Sequence, residues 1–347
     1  MKDTLKDSNF PRTADLRVYH LGLRPGEVAN RIITVGSPSR AETIALLFDA
    51  QPKPFRLSSE RGFLTITGRY QGVPVSVVSI GMGSPNMDFF VREVRECISG
   101  DMAIIRLGSC GGLIDVPVGS VVVPKACVSV TRNVDFDFAN PNACTEAAYR
   151  ISKPVSADAT LQHEVQKALE AARPKDAKTV IVGDTVNASA DSFYSSQGRQ
   201  TSFPDHNADL IEHLLTSTPG LATLEMETFH LYHLAACWGV HKAPAKSSAP
   251  PLATTPVSPT VHQHQPTVSS QVVETEILAG HDTTIRAAAA QMVFASRTSS
   301  DFINPEQVAE AEAWTAKGVL EALKNTVFDQ ARLHAEQGSV WELRNDA

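Results

Sequence analysis

The chain has 347 residues, of which 42% are hydrophobic, and a formal net charge of −7. The hydrophobic fraction is sufficient for a sizeable core, and the negative charge argues against a general nucleic-acid or membrane-surface role. The five cysteines show neither C-x-x-C nor metal-finger spacing, which is typical of thiols in a reducing compartment: Cys97, Cys110, Cys127, Cys144 and Cys237.

The opening residues, MKDTLKDSNFPR, lack the apolar core of a signal peptide. No apolar run approaches the length of a membrane span. We therefore expect a cytoplasmic protein.

Strand-like apolar runs alternate with helical patterns along the chain. This repetition indicates an α/β fold around a central sheet. The strand-like runs, each with the segment that ends it, are RIITV (31–35) before GSPSR and the helical AETIALLF, VPVSVVSI (73–80) before GMGSPN and the helical MDFFVREVREC, MAIIRL (102–107) before a GSCGG turn, KTVIV (178–182) before GDTVNAS, and AAAAQMVFA (287–295) before SRTSSD. A further strand, GSVVVPKACVSV, has no helix after it, so we expect a mixed sheet.

Two acids flank a methionine in LATLEMETFHLYHLAA (221–236). An apolar run leads into Glu225, Met226 and Glu227, and a helical pattern follows them. The triplet therefore lies where a buried strand turns into a helix, a place where α/β proteins put their chemistry. Two other interpretations are acids favoured by a helix dipole and the carboxylate pair of a glycosidase.

The last predicted helix has a complete start signal. Asn304 is the cap, Pro305 occupies the first position and Gln307 follows three residues after the cap. The apolar stripe on this helix is expected to pack in the core: Ala316, Leu320, Leu323 and Val327.

One segment breaks the α/β pattern. Of the 28 residues from Ala243 to Ser270, 15 are Pro, Ser or Thr, which predicts a flexible insertion at about 243–270. His262 and His264 in this segment form a weak candidate metal site.

Glycines and arginines collect at the ends of the predicted strands. Glycines let backbone N–H groups approach an anion, and the arginine fork binds phosphate. Arg106 interrupts the apolar run MAIIRLG, where an unpaired charge would be costly, so an anionic partner is expected. GMGSPN lacks the third glycine of a dinucleotide fingerprint.

Four motifs in order carry a family resemblance: VYHLGLRPGEVANRIITVGSPSR (18–40), RLGSCGG (106–112), DSFYSSQGR (191–199) and LEMET (224–228). They resemble the nucleoside phosphorylases of the single-domain, purine/uridine type. The resemblance runs from about Val18 to Trp238 and resumes near Arg286. It implies one domain over 18–347 with a central, partly barrel-like mixed sheet flanked by helices, preceded by an extension over 1–17.

The resemblance also implies roles for individual residues. Phosphate, a co-substrate, is expected at Gly36, Arg40, Arg61, Arg106 and Ser109, and ribose at His20, Glu225, Met226 and Glu227. Uracil is expected at Phe193, Gln197 and Arg199, and Arg297 steadies the site, so we expect the catalytic residues to be Arg106, Glu227 and Arg297. The chain departs from the family at Ser37, where Asp is usual, and at Cys110, where a hydroxyl is common.

A homodimer with shared sites is implied, because His20 and Arg61 resemble residues that are donated to the neighbouring subunit. The family's bacterial uridine-type members hold a cation at this interface, but Gly62 stands where they have a carboxylate. Glu60 and Asp88 are the alternative oxygen ligands. No organic cofactor is expected.

The implied activity is phosphorolysis of uridine to uracil and ribose 1-phosphate. Three alternatives remain: a purine nucleoside phosphorylase, a hydrolytic nucleosidase on the same fold, and a non-catalytic nucleoside-binding member. Purine-specific relatives place an Asp after the last strand, where this chain has Ser296 and Arg297.

Overall fold

The computed structural model describes residues 4–239, 280 and 282–343. In these residues the strands are β1 (Arg31–Val35), β2 (Phe55–Ser58), β3 (Leu64–Tyr70), β4 (Val73–Ser79), β5 (Met102–Gly112), β6 (Val121–Arg132), β7 (Tyr149–Ile151), β8 (Val155–Ser156), β9 (Ile181–Ala190), β10 (Leu221–Glu225) and β11 (Ile285–Ser296). The helices are α1 (Pro38–Ala45), α2 (Ser84–Arg95), α3 (Ala159–Ala172), α4 (Leu210–Ser217), α5 (Thr228–Gly239) and α6 (Pro305–Asn325).

The strands form one mixed sheet that closes on itself over part of its width. Its order is β10-β9-β6-β11-β5-β1-β4-β3-β2, and β7 and β8 pair with β6. Because β10 also pairs with β5, the strands β5, β11, β6, β9 and β10 form a closed circuit. β11 runs parallel to β5 but antiparallel to β6. The expected mixed and partly barrel-like α/β fold is confirmed.

Helices cover the sheet through two separate hydrophobic clusters. Helices α1, α3 and α6 contribute side chains such as Ile44, Val165 and Leu320 to one cluster. Helices α2 and α5 contribute Phe90 and Tyr232 to the other. All five side chains are at most 1% exposed, so both layers exclude water and fix the helices against the strands.

The GSCGG segment is not the turn that its glycines predict. β5 continues through it to Gly112, because β11 pairs with it along its whole length and β10 pairs with Gly111 and Gly112. A Cβ atom at Gly108 would lie 2.4 Å from Gln291 Oε1, and one at Gly112 would lie 2.9 Å from Val293 Cγ1. These glycines therefore permit a close approach of neighbouring side chains.

Two other predicted boundaries are also wrong. β9 begins at Ile181 and runs through the GDTVNAS segment, because β6 pairs with it as far as Ala190. Val327 is 82% exposed, since α6 ends at Asn325, while Ala316, Leu320 and Leu323 are buried as predicted. The capping box of Asn304 and Gln307 is confirmed.

Several sequence predictions concern regions that the structure describes only in part. The predicted insertion at 243–270, with His262 and His264, lies outside the described residues. Within the predicted extension, Arg12 and Arg17 form ion pairs with Glu96 and Glu27. Among the described helices, none is long and apolar enough to cross a membrane.

A pair of glycine substitutions tests the packing of β5. We expect Gly108→Ala to lower the free energy of unfolding by about 1–3 kcal/mol, because its new methyl group meets the buried Gln291 amide. Gly111→Ala is the matched control, since no heavy atom lies within 4 Å of its Cβ position. Denaturant unfolding measures both variants. Equal losses would contradict this account of the strand.

Candidate active site

One cavity of about 430 Å³ opens where β1, β5, β10 and β11 meet the segment that follows β9. It brings together most of the residues that the sequence singled out. Those that line it are Gly36, Arg40, Arg106, Ser109, Phe193, Gln197, Arg199, Glu225, Met226 and Glu227. The volume lies in the range of sites for small organic ligands.

An ion pair between Arg106 and Glu227 occupies the floor of this cavity. Arg106 Nη2 lies 2.6 Å from Glu227 Oε2, and both side chains are 4% exposed. The backbone N–H of Gly83 donates to Glu227 Oε1 at 2.5 Å. Arg106 Nε and Nη1 have no hydrogen-bond partner among the described residues. The guanidinium therefore keeps donors for an anionic ligand.

Arg40 supplies a second cation to the same cavity. Its side chain is 8% exposed, and its Nε donates to Glu312 Oε1 at 2.8 Å. Burial lowers the pKa of the Arg40 guanidinium, although the Glu312 carboxylate opposes this shift. Ser37, the departure from the family's Asp, is the N-cap of α1 and accepts the Arg40 N–H. The first turn of α1, directly after β1, thus presents an anchored arginine.

Glu225 and Glu227 have different environments although both line the cavity. Glu225 accepts hydrogen bonds from Asn187 Nδ2 at 2.7 Å, from Ser189 Oγ, and from the N–H groups of Glu227 and Thr228 at 2.8 and 3.0 Å. Burial, and secondarily the charge of Glu227, raise the pKa of the Glu225 carboxyl group. Glu225 therefore caps α5 and orients Glu227.

The segment after β9 forms the opposite wall of the cavity. Arg199 lies over the Phe193 ring at 3.8 Å and donates to Gln197 Oε1 at 2.5 Å. Burial, and then the charge of Arg297, lower the pKa of Arg199. This wall offers an aromatic face beside amide and guanidinium donors, a combination that suits a planar polar ring.

Arg297 is not among the residues that line the cavity. Its Nη1 donates to the Gln197 carbonyl at 3.0 Å and its Nη2 to the Gly198 carbonyl at 3.3 Å. These bonds support the expected role of Arg297 in steadying the base-binding segment. A direct contact between Arg297 and the substrate stays a prediction.

His20 and Arg61 lie outside the cavity of their own chain. His20 Nδ1 is 2.6 Å from Glu93 Oε1, and its ring stacks on Phe89 with centroids 3.8 Å apart. Arg61 lies over the Tyr19 ring at 4.3 Å. The Tyr19 and His20 rings are in edge contact. His20 and Arg61, the two residues predicted to reach the partner subunit's site, therefore belong to one surface.

The described residues do not provide a ready cation site. They contain no group of three His, Cys, Asp or Glu side chains that could hold a metal ion. Asp88, a proposed ligand, already accepts from Arg92 Nε at 2.8 Å and contacts His230 Nε2 at 3.0 Å. Glu60, the other proposed ligand, belongs to no such group, and the cation stays a prediction.

Sequence reasoning missed several residues that build the site. Asn187 and Ser189 hold Glu225, and their signal was two polar residues at alternate positions of a strand. Gly83 acts through its backbone N–H and leaves no side-chain signal. Cys110 lines the cavity as a neutral thiol, because burial raises its pKa well above the usual range.

Comparisons with known proteins identify relatives of this chain. The sequence pattern of the phosphorylase superfamily matches residues 30–246. A uridine phosphorylase of Thermococcus kodakarensis is 30% identical over 69% of this chain and 79% of its own length. A DeoD-type purine nucleoside phosphorylase of Bacillus cereus is 31% identical over 64% of this chain and 82% of its own.

A solved structure covers more of the chain. It comes from a study of two diverse uridine phosphorylases in the oomycete Phytophthora capsici. It is 36% identical, covers 94% of this chain and 100% of its own, and superposes with a TM-score of 0.76.

The two buried arginines that line the cavity, Arg40 and Arg106, predict that phosphate stabilises the folded protein. A ligand at 100 times its dissociation constant adds about 2.7 kcal/mol, so Tm is expected to rise with phosphate concentration. Arg40→Met should abolish most of this rise because it removes a buried cation from the cavity. Arg56→Met is the matched control, since Arg56 pairs with Glu42 on the surface. A rise in the Tm of Arg40→Met as large as that of the wild type, measured against chloride at equal ionic strength, would contradict the assignment.

Proposed function

The chain belongs to the phosphorylase superfamily, and from this premise we propose that it catalyses the reversible phosphorolysis of uridine to uracil and ribose 1-phosphate, a reaction of pyrimidine nucleoside salvage and catabolism. The observation that carries this proposal is the buried Arg106–Glu227 pair facing Gln197 and Arg199 across one cavity. The arginine donors, the hydrogen-bonded Glu227 carboxylate and the polar wall of Gln197 and Arg199 can then contact one nucleoside and its phosphate.

Phosphate binds on the side of β1 and β5. Arg106 offers its unused donors and Arg40 a second guanidinium, while Gly36 and Ser109 complete the wall. Gly36 lies beside the guanidinium, since a Cβ atom there would be 3.9 Å from Arg106 Nη2. Two planar forks match the oxygens of phosphate and orient it for attack on the anomeric carbon, with inversion.

The ribose lies against Glu227 and Met226. The sugar carbon becomes positive and oxocarbenium-like as the N-glycosidic bond breaks. Glu227 is held between Arg106 and the Gly83 N–H, so its carboxylate is in place before that charge develops. Glu225 lines the same wall but has its oxygens occupied by protein donors, so it acts through Glu227.

Uracil lies against Phe193, Gln197 and Arg199. The Gln197 amide can face one acceptor and one N–H of the ring, and Arg199 can bind a carbonyl oxygen. Uracil leaves as an anion whose charge is spread over its oxygens, so cationic and amide donors favour its departure.

The alternatives fit the cavity less well. A hydrolytic nucleosidase does not need Arg40 and Arg106 together, and a non-catalytic binding protein does not need a held carboxylate beside them. A purine phosphorylase would place an acid after β11, where this chain has Ser296 and Arg297. The structure from the study of uridine phosphorylases is 36% identical over 94% of this chain, more than the 31% over 64% of the purine enzyme.

The proposed assembly is a homodimer that works in the cytoplasm. His20 and Arg61 share an outer surface and lie away from their own cavity, which is the placement that donation to a partner subunit requires. Arg61 would complete the partner's phosphate site, and His20 would contact the ribose 5′-hydroxyl.

The proposed reaction is tested with uridine in the presence and absence of phosphate. We expect uracil and ribose 1-phosphate only when phosphate is present, and a kcat/KM for inosine far below that for uridine. A site built for the polar edge of uracil rejects a base that leaves its groups unpaired. Equal loss of uridine without phosphate would indicate hydrolysis, and a preference for inosine would overturn the base assignment.

Two variants in the same assay separate base from phosphate recognition. Gln197→Ala should lower kcat/KM for uridine by roughly 10²-fold or more, since a lost donor to developing charge costs on that order. Arg40→Ala should instead raise KM for phosphate and leave the preference among bases unchanged. Normal uridine cleavage by Gln197→Ala would show that its segment is an ordinary loop.

Subunit mixing tests the shared site. Neither Arg61→Ala nor Glu227→Ala homodimers should be active, whereas their mixture should regain about a quarter of the wild-type sites in a random two-fold assembly. The matched control mixes Arg106→Ala with Glu227→Ala, two residues of the same cavity, which restores no intact site. If the first mixture stays as inactive as the control, Arg61 is not donated between subunits.

A further inference from the structure

Asn207 binds residues 195–199, in the segment after β9 that forms the wall proposed to contact the base. Asn207 is not itself among the residues that line the cavity. Its Nδ2 donates to the Ser195 carbonyl at 2.8 Å and to the Arg199 carbonyl at 3.1 Å. Its Oδ1 accepts from Gln200 Nε2 at 2.9 Å. Asn207 is 3% exposed, so these bonds form away from competing water.

The same segment is held from its other side by Arg297, which binds the carbonyls of Gln197 and Gly198. Two buried or half-buried side chains thus bind four of the five carbonyls between residues 195 and 199. Gly198 has φ +64°, and a Cβ atom there would lie 2.7 Å from Ile211 Cγ1. The segment therefore has no space in which to shift toward α4.

Asn207 is itself anchored to the core. Its carbonyl accepts the N–H of Leu210, the first residue of α4. Leu210 and Leu214 of that helix are 5% and 0% exposed and pack into a hydrophobic cluster with β6, β9 and β10. Asn207 therefore connects the packed helix α4 to the segment that carries Gln197 and Arg199.

We propose that Asn207 is a positioning residue for base recognition, fixing the backbone from which Phe193, Gln197 and Arg199 meet the uracil ring. The inference rests on the proposed function. It concerns only the nucleoside side of the cavity, because no hydrogen bond joins Asn207 to the described residues Gly36, Arg40, Arg106 and Ser109.

Tyr149 contacts the same segment independently of Asn207. Its hydroxyl donates to the Asp205 carbonyl at 2.7 Å and lies 2.7 Å from Ser195 Oγ. Unlike Asn207, Tyr149 contacts the Ser195 side chain and none of the backbone carbonyls of residues 195–199. Its loss should therefore act in the same direction with a smaller effect.

The test is Asn207→Asp, which keeps the shape but places a carboxylate oxygen against two carbonyls and removes the donor. We expect kcat/KM for uridine to fall between about 10- and 100-fold, as for a misplacement of about 1 Å in contact groups. The preference for uridine over inosine should shrink with it. KM for phosphate should stay within about twofold of wild type, because that side of the site is untouched.

Gln200→Ala is the matched control, since it removes the bond to Asn207 Oδ1 and leaves both donated bonds in place, so uridine cleavage should be near that of wild type. If Asn207→Asp does not fold, Tyr149→Phe is assayed in its place with the same expected split. The positioning role would be overturned if the variant also raised KM for phosphate by as large a factor, or if it left the preference for uridine over inosine unchanged. A wild-type protein that cleaves no uridine would instead overturn the proposed function, which separates the two failures.

Discussion

The buried ion pair between Arg106 and Glu227 is the interaction on which the site depends. Removing two charges from water is costly, and a buried pair seldom stabilises a fold more than apolar residues of similar volume would. Here the pair is also incomplete, because Arg106 Nε and Nη1 have no partner among the described residues. Under the proposed function, the pair is a preorganised site: an anionic ligand supplies the missing acceptors, and the Glu227 carboxylate is in place before positive charge develops on the sugar.

Holding that pair in place requires strands from distant parts of the chain. Arg106 comes from β5, Glu227 follows β10, and the Gly83 N–H comes from the turn after β4. The pairing of β10 with both β9 and β5 closes the strand circuit and fixes the first two against each other. Around them, Glu225, Glu312 and Asn207 each bind a residue that faces the cavity, so the contacting groups have little freedom to move before the substrates arrive.

Local chemistry made much of the fold predictable from the sequence. Apolar runs marked β1, β4 and β11, and the capping box at Asn304 marked the start of α6. The acids of LEMET were placed at a strand–helix junction, where the structure has them between β10 and α5. In each case a few neighbouring residues decide the outcome, so no distant contact is needed. Arg106 was notable for the same reason, since a lone charge within an apolar strand requires a partner.

The sequence by itself determined the fold class, the family and ten of the residues that line the cavity, while the tertiary structure decided which partners each of them has. Glu225 and Glu227 are equivalent in sequence. Only the pairing with β9 shows that Asn187, 38 residues away, donates to the first. Arg106, 121 residues away, binds the second. GSCGG reads as a turn until β10 and β11 extend it as a strand. These distinctions arise from contacts between elements remote in sequence, which no local pattern of residues encodes.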